Sequence, residues 1–254
     1  MPSYNIRYRA ALVPAIIILA LSACVNSEKD LPAWQESMDK AAVYSKHGQG
    51  EMAVQEAGKA LKLARKIFRS GDIRLAGNVG LLAKLYYDRG DFSAAEPLAG
   101  EVFSLAAKSY GETSAQAMTA LNNLGAVYQK EGKLEAAQKA FETTLSYYDK
   151  TPGADISDVV ATLNNLAKVC HQRKDPARAE ALFKRAVDLC GGSFGHGNPN
   201  MAITLSNLGD LYRDLDRPAE ARARYKTALA LAEKALGPAH PFTIQVRESL
   251  KKLK

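Results

Sequence analysis

Apolar and polar positions alternate along residues 119–145 in a way that predicts two helices and a turn. Leu121, Leu124, Gly125 and Tyr128 fall on one face at helical spacing. Gly132 breaks that pattern, and from Leu134 onward Ala137, Phe141 and Leu145 mark the inner face of a second helix. The same text recurs every 42 residues. Ala53, Ala95, Ala137, Ala179 and Ala221 form an unbroken column, as do Leu82, Leu124, Leu166, Leu208 and Leu250. Tyr44, Tyr86, Tyr128, Cys170 and Tyr212 form another, and Ala41, Ala83, Gly125, Ala167 and Gly209 a column of small residues. Gly111, Gly153, Gly195 and Gly237 fall where second helices should end, in the position that requires a left-handed residue. Starts are also marked. Ser93 with Glu96 reads as a capping box, Asp175-Pro176 as a cap followed by a first-turn proline, and Pro97 as a proline tolerated in a first turn.

Such pairs cannot bury their apolar faces alone, so they must stack on one another and end in a soluble cap. Phe242–Lys254 suits the cap, with Val246 and Leu250 turned inward and Arg247 and the lysines turned to water. The chain thus reads as five helix pairs over about 31–72, 73–114, 115–156, 157–198 and 199–240, with a cap over 241–254. The first pair is the least regular, because Lys40 stands in the leucine column.

Composition agrees with a helical, folded chain: of 254 residues, 47% are hydrophobic and only 7% aromatic. The formal charge of +7 includes Arg7 and Arg9, leaving about +5 for the rest, spread along helix faces. That distribution implies no nucleic-acid partner.

The amino terminus carries a separate message. Arg7 and Arg9 precede the apolar run Ala10–Ala20, which is shorter than the roughly 20 residues of a membrane-spanning helix. Leu21-Ser22-Ala23-Cys24 follows at once. This layout resembles a bacterial lipoprotein signal peptide. The resemblance implies removal of residues 1–23 and acylation of Cys24. Several acyl chains make a stable anchor. Residues 24–32 would then be the lipidated cysteine and a short tether, and 33–254 the folded body close to the membrane. Val25, rather than Asp, follows Cys24, so the resemblance implies the outer membrane, with the protein facing the periplasm.

Leu121, Leu124, Gly125, Tyr128, Ala137 and Phe141 meet the pattern L-x-x-L-G-x-x-Y followed by A-x-x-x-F. This resembles the tetratricopeptide signature. The longer period, the LNNL text, Ala95–Leu98 and the Gly237–Pro241 link are similar to the kinesin-light-chain-type subclass. A HEAT-like solenoid shares the period but not the signature. The resemblance implies an all-α, right-handed superhelical solenoid whose first helices line a concave groove.

One feature of the first helices is costly locally. Asn122 and Asn123 sit mid-helix, although Asn is a mediocre helix former, and Asn164, Asn165 and Asn207 repeat them. At 100° per residue they lie opposite the leucines, along with Lys130, Lys168 and Arg213. Amides both donate and accept, so a ladder of them can satisfy the backbone of an extended peptide. Lys130, Lys168 and Arg213 could then select acidic groups on it. The resemblance implies the same role, since equivalent asparagines contact cargo peptides in that class. The alternative is that Asn123, Asn165 and Asn207 tie adjacent repeats together. Gly80 and Leu81 occupy these positions in the second repeat, confining a ladder to repeats three to five.

Catalysis is not expected. Gly191–Gly195 spells G-x-S-x-G around Ser193, but a nucleophile elbow needs a preceding strand. His47, His171, His196 and His240 show no metal-ligand spacing, and no cofactor motif is present. Cys170 and Cys190 should be buried free thiols, several turns apart. The expected function is a membrane-anchored scaffold or adaptor that binds a peptide or protein in its groove. The alternatives are a structural subunit of an envelope assembly held by its convex surface and, remotely, a hydrolase.

Overall fold

The structure is a computed structural model, and it describes residues 27–69, 71–194 and 199–253. Among these residues there are eleven helices and no strand. Five are the first helices of the repeats: α1 (Ser27–Lys46), α3 (Ile73–Asp88), α5 (Ala115–Lys130), α7 (Ile156–Gln172) and α9 (Pro199–Asp214). Their partners are α2 (Gly50–Ile67), α4 (Phe92–Tyr110), α6 (Leu134–Asp149), α8 (Pro176–Phe194) and α10 (Pro218–Leu236), and α11 (Pro241–Lys252) closes the series. The chain divides into two compact bodies at Lys133, one holding α1–α5 and the other α6–α11. No helix among the described residues is long and apolar enough to cross a membrane. Cys24 and the signal segment lie outside the described residues, as do Gly195 and His196. Helix α1 begins at Ser27, so most of the expected tether to Pro32 is helical.

The period is written into the turns. In every repeat the chain leaves the first helix through a residue with positive φ: Gly48 (+73°), Gly90 (+81°), Gly132 (+79°), Lys174 (+67°) and Asp216 (+54°). The next N–H then reaches back to the carbonyl of the tyrosine column. Gln49 bonds Tyr44, Asp91 bonds Tyr86, Lys133 bonds Tyr128 and Asp175 bonds Cys170, each at 2.9 Å, and Arg217 bonds Tyr212 at 2.8 Å. This six-to-one bond satisfies a carbonyl that the helix end would otherwise orphan.

Caps hold the starts. Asp72, Ser114 and Asp155 accept from the backbone N–H groups of Arg74, Ala117 and Ser157. Asp175 accepts from Arg178 N–H at 3.1 Å ahead of Pro176, as the sequence predicts. The capping box at Ser93 is corrected: α4 starts at Phe92, and Asp91 is its cap, accepting from Ala94 N–H at 3.2 Å. Glu96 is drawn away to Lys133 instead, and Pro97 falls in the second turn. His240 caps α11, its ring Nδ1 accepting from Phe242 N–H at 3.2 Å. Helix α6 ends at Asp149, three residues before Pro152, which carries no N–H and disfavours helix before it.

Small residues let helices approach. All five column alanines, from Ala53 to Ala221, are fully buried. At Gly209 an added Cβ would stand 2.8 Å from Cε1 of buried Tyr225, so only glycine admits that ring. The aromatic column of the second helices is filled by Phe141, Phe183 and Tyr225 in the second body, all at most 2% exposed. Ala57 and Ala99 stand there in the first body, where Trp34 on Phe68 and Tyr87 on Phe92, both edge-on, supply bulk instead. In the cap, Phe242, Val246 and Leu253 are buried. Arg247 does not simply face water; it pairs with Glu233 of α10 at 2.6 Å.

Candidate ligand-binding face

In the second body, α7 packs directly against α9, its counterpart in the next repeat, as well as against α6 and α8. Its polar residues are therefore covered on two sides. Asn164 sits at the centre, 2% exposed. Its amide nitrogen donates to Val160 O at 2.9 Å and to Thr204 Oγ1 of α9 at 2.8 Å. Its amide oxygen accepts from Asn207 Nδ2 of α9 at 3.1 Å. Thr204 in turn donates to Asn200 O at 2.9 Å. This closed set ties one repeat to the next. Sequence reasoning misses Thr204, although Thr162 stands 42 residues before it and marks the column.

The exposed asparagine ladder is thereby corrected in its geometry. Asn122, Asn123, Asn164 and Asn165 are all under a tenth exposed. Helix α7, which carries Asn164 and Asn165, is flanked by α6 and α8 and also by α9, and α5, which carries Asn122 and Asn123, packs on α4 of the preceding repeat. Asn207 is half-buried. Not every amide is used up, however. Asn165 Nδ2 in the second body and Asn122 Oδ1 in the first are buried without a hydrogen-bond partner. A buried orphan of this kind costs on the order of 1–3 kcal/mol.

Outside this seam lies a second, wetter row. Along α7 it comprises half-buried Lys168 and His171 and exposed Gln172, and along α9 Asn207, Asp210, Arg213 and Asp214. Arg213 is held by its own chain. Nη1 reaches Asp210 Oδ1 at 2.7 Å and Tyr225 Oη at 3.2 Å, while Nε and Nη2 reach Asp214 Oδ1 at 3.0 and 2.9 Å. His171 Nε2 also meets Asp214 Oδ2 at 3.2 Å. Tyr225 donates to Asp210 at 2.7 Å, and burial, aided by that carboxylate, pushes its hydroxyl well above the usual range. Arg213 therefore does not offer an unpaired charge to an acidic ligand; the D-x-x-R-D spacing at residues 210–214 already holds that signal. In the first body, Lys130 is exposed in the last turn of α5, while Lys84 and Asp88 of α3 pair with each other.

An ionic bracket fastens α8 to α9 and to the turn between α9 and α10. Glu180 accepts from Lys184, Arg217 and Tyr212 at 2.7, 2.7 and 3.0 Å, and these donors, Lys184 foremost, hold its carboxyl down at about 2. Arg217 also lies 4.3 Å over the Tyr212 ring.

The tempting chemistry does not assemble. Gly191, Gly192, Ser193 and Phe194 are the last turn of α8, so a helix and not a strand precedes Ser193. Among the described residues no three His, Cys, Asp or Glu groups cluster to hold a metal. Cys170 and Cys190 are free and buried, and burial raises both thiols, Cys190 to about 11.

A family model for the tetratricopeptide repeat matches residues 74–150, 116–191, 158–234 and 200–253, successive windows that advance by one period. Among solved structures, the chain is similar to a Podosopora anserina putative kinesin light chain with nearly identical TPR-like repeats. That match has TM-score 0.65 and 19% identity, and covers 80% of this chain and 97% of that one. BtubC (BKLC) from P. vanneervenii matches at TM-score 0.64 and 22% identity, over 86% of this chain and 95% of that one. A Rap protein complexed with competence and sporulation factor matches at TM-score 0.65 and 14% identity, over 86% of this chain and 64% of that one. At such identities the likeness is one of fold. A comparison with curated proteins finds no match.

Proposed function

Since this chain belongs to the tetratricopeptide repeat family, whose repeats are protein–protein interaction scaffolds, we propose that it is a scaffold or adaptor of the bacterial envelope, anchored by lipid on Cys24. It takes an extended segment of a protein partner along the first-helix face of its carboxyl-terminal body. The observation that carries this reading is the division of labour on that face. Asn164 and Thr204 are consumed in holding the repeats together. Asn165 keeps an unpaired buried amide donor on α7, the helix that also carries Lys168 and Gln172. A ligand carbonyl reached by rotation of that amide would remove its desolvation cost.

The partner need not be acidic. Arg213 is neutralised by Asp210 and Asp214, and the row presents carboxylates as well as Lys168. A segment carrying mixed or basic side chains suits it. The Rap protein, which shares this fold and is complexed with a factor, supports ligand capture by such a stack.

The test is in-cell crosslinking from a photoreactive residue at Gln172 in the full chain, followed by identification of the captured protein. Substituting Asn165→Ala and Lys168→Ala together should abolish that capture while circular dichroism stays helical. Capture at the wild-type level by the folded double variant would refute the site. Palmitate labelling of the wild type but not of Cys24→Ser tests the anchor.

A further inference from the structure

One edge of the amino-terminal body carries apolar side chains that its own packing does not explain. Leu31, Ile73 and Tyr110 are 40%, 55% and 44% exposed, on three different helices. The contacts between those helices place them at one end. Trp34, one turn beyond Leu31, packs edge-on to Phe68 at 5.1 Å. Phe68 lies under the Arg74 guanidinium at 4.1 Å, next to Ile73. Ser109, next to Tyr110, donates to Gly71 O at 3.3 Å. The start of α1, the end of α2, the start of α3 and the end of α4 therefore share this edge. Exposed Lys66 and Arg69 stand on it too.

The same edge is where the chain enters from its amino terminus. Cys24 precedes the first residue of α1 by three positions, a stretch that spans at most about 11 Å. We infer that this edge, through Leu31, Ile73 and Tyr110, lies in the headgroup region of the membrane to which Cys24 is anchored. The inference rests on the lipid-anchor reading above. With so short a connection, an acylated Cys24 leaves the α1 terminus no position far from the bilayer. Apolar side chains and an aromatic hydroxyl suit an interface that is apolar on one side and wet on the other. Lys66 and Arg69 suit anionic headgroups. Val43 and Met52, also exposed, lie at the opposite end of α1 and α2 and would point away.

The chain supplies its own reporter, because Trp34 is its only tryptophan. The full-length protein, matured in bacterial cells and labelled with palmitate, is reconstituted into phosphatidylethanolamine–phosphatidylglycerol vesicles with brominated acyl chains. Contact at interfacial depth should quench the Trp34 emission relative to unbrominated vesicles. The Leu31→Ser, Ile73→Ser, Tyr110→Ser variant, still palmitoylated and helical, should lose that quenching. Val43→Ser with Met52→Ser should retain it. Palmitoylated wild type without quenching, or the triple variant quenched like wild type, overturns the contact and leaves the anchor standing. Wild type that incorporates no more palmitate than Cys24→Ser overturns the anchor and this inference with it.

Discussion

The two bodies repeat one period but complete it with different residues. Where the first helix turns into the second, the amino-terminal body has Gly48, Gly90 and Gly132, and the carboxyl-terminal body Lys174 and Asp216. All five adopt positive φ and all five close the same backbone bond to the tyrosine column. The turn is therefore imposed by the stack and not by glycine; the second body sustains a left-handed residue that costs roughly 1–2 kcal/mol without one. The aromatic column differs in the other direction. Phe183 and Tyr225 fill it in the second body, while Ala57 and Ala99 leave it to Trp34, Phe68 and Tyr87 in the first. The seams between first helices follow suit. Asn164 bonds Thr204 and Asn207 in one, and in the other the Trp34 indole donates to Asn78 Oδ1 at 2.9 Å. A solenoid needs its volumes and bonds supplied once per repeat, but not by the same residue.

Truncating the aromatic column tests this most severely. Phe183→Ala should cost about 3–5 kcal/mol in urea unfolding, whereas Ala99→Gly, at the matching position in the first body, should cost only about 1 kcal/mol. Equal losses would mean that the column, and not the local volume, governs packing.

The seam comes next. Asn164→Ala leaves the buried Thr204 oxygen without its donor and the Asn207 amide without its acceptor, and should cost about 1–3 kcal/mol. Asn78→Ala strands a half-buried indole N–H and should cost less. A smaller loss for Asn164→Ala than for Asn78→Ala would break the view that the amide seam is the more fully desolvated of the two.

Much of this pattern is legible in the sequence. The alanine column predicts five fully buried positions because an undisturbed period must return to one helix face. Cys170 in the tyrosine column predicts a buried thiol for the same reason. The Ser93 capping box misleads because Ser93-x-x-Glu96 and Asp91 compete for one helix start, and Lys133, 37 residues away, draws Glu96 off. The burial of Asn122 and Asn165 escapes a helical wheel, which shows one helix and omits the neighbouring repeat.

The turn gives a smaller effect with opposite signs. Lys174→Gly and Asp216→Gly should each raise the unfolding free energy by about 0.5–1 kcal/mol, and Gly132→Ala should lower it by about 1–2 kcal/mol. Differential scanning calorimetry of the three variants would reveal a loss on Lys174→Gly, which would contradict a strained turn in the second body.

The bracket at Glu180 sharpens the comparison through pH. Its carboxyl is held near 2 against an ordinary 4.5, so its stabilisation is complete above about 4.5 and is lost as pH falls towards about 2. Glu180→Gln should flatten that part of the stability–pH curve. Glu96, lowered by Lys133 in the first body, is more exposed than Glu180, so Glu96→Gln should change the curve less. Matching changes would erase the difference.

The sequence by itself determined the period, the helix pairs, and the small-residue and tyrosine columns. Those features depend on spacing along one or two helices, which 3.6 residues per turn converts directly into a face. Only the tertiary structure decided that Asn164 is consumed by Thr204 and Asn207 while Asn165 keeps a free donor, and that Asp210 and Asp214 neutralise Arg213. It also decided that Leu31, Ile73 and Tyr110 share one edge. Each of these depends on which side chains from different helices meet. That is fixed by how close the helices pack, a distance the linear pattern does not carry.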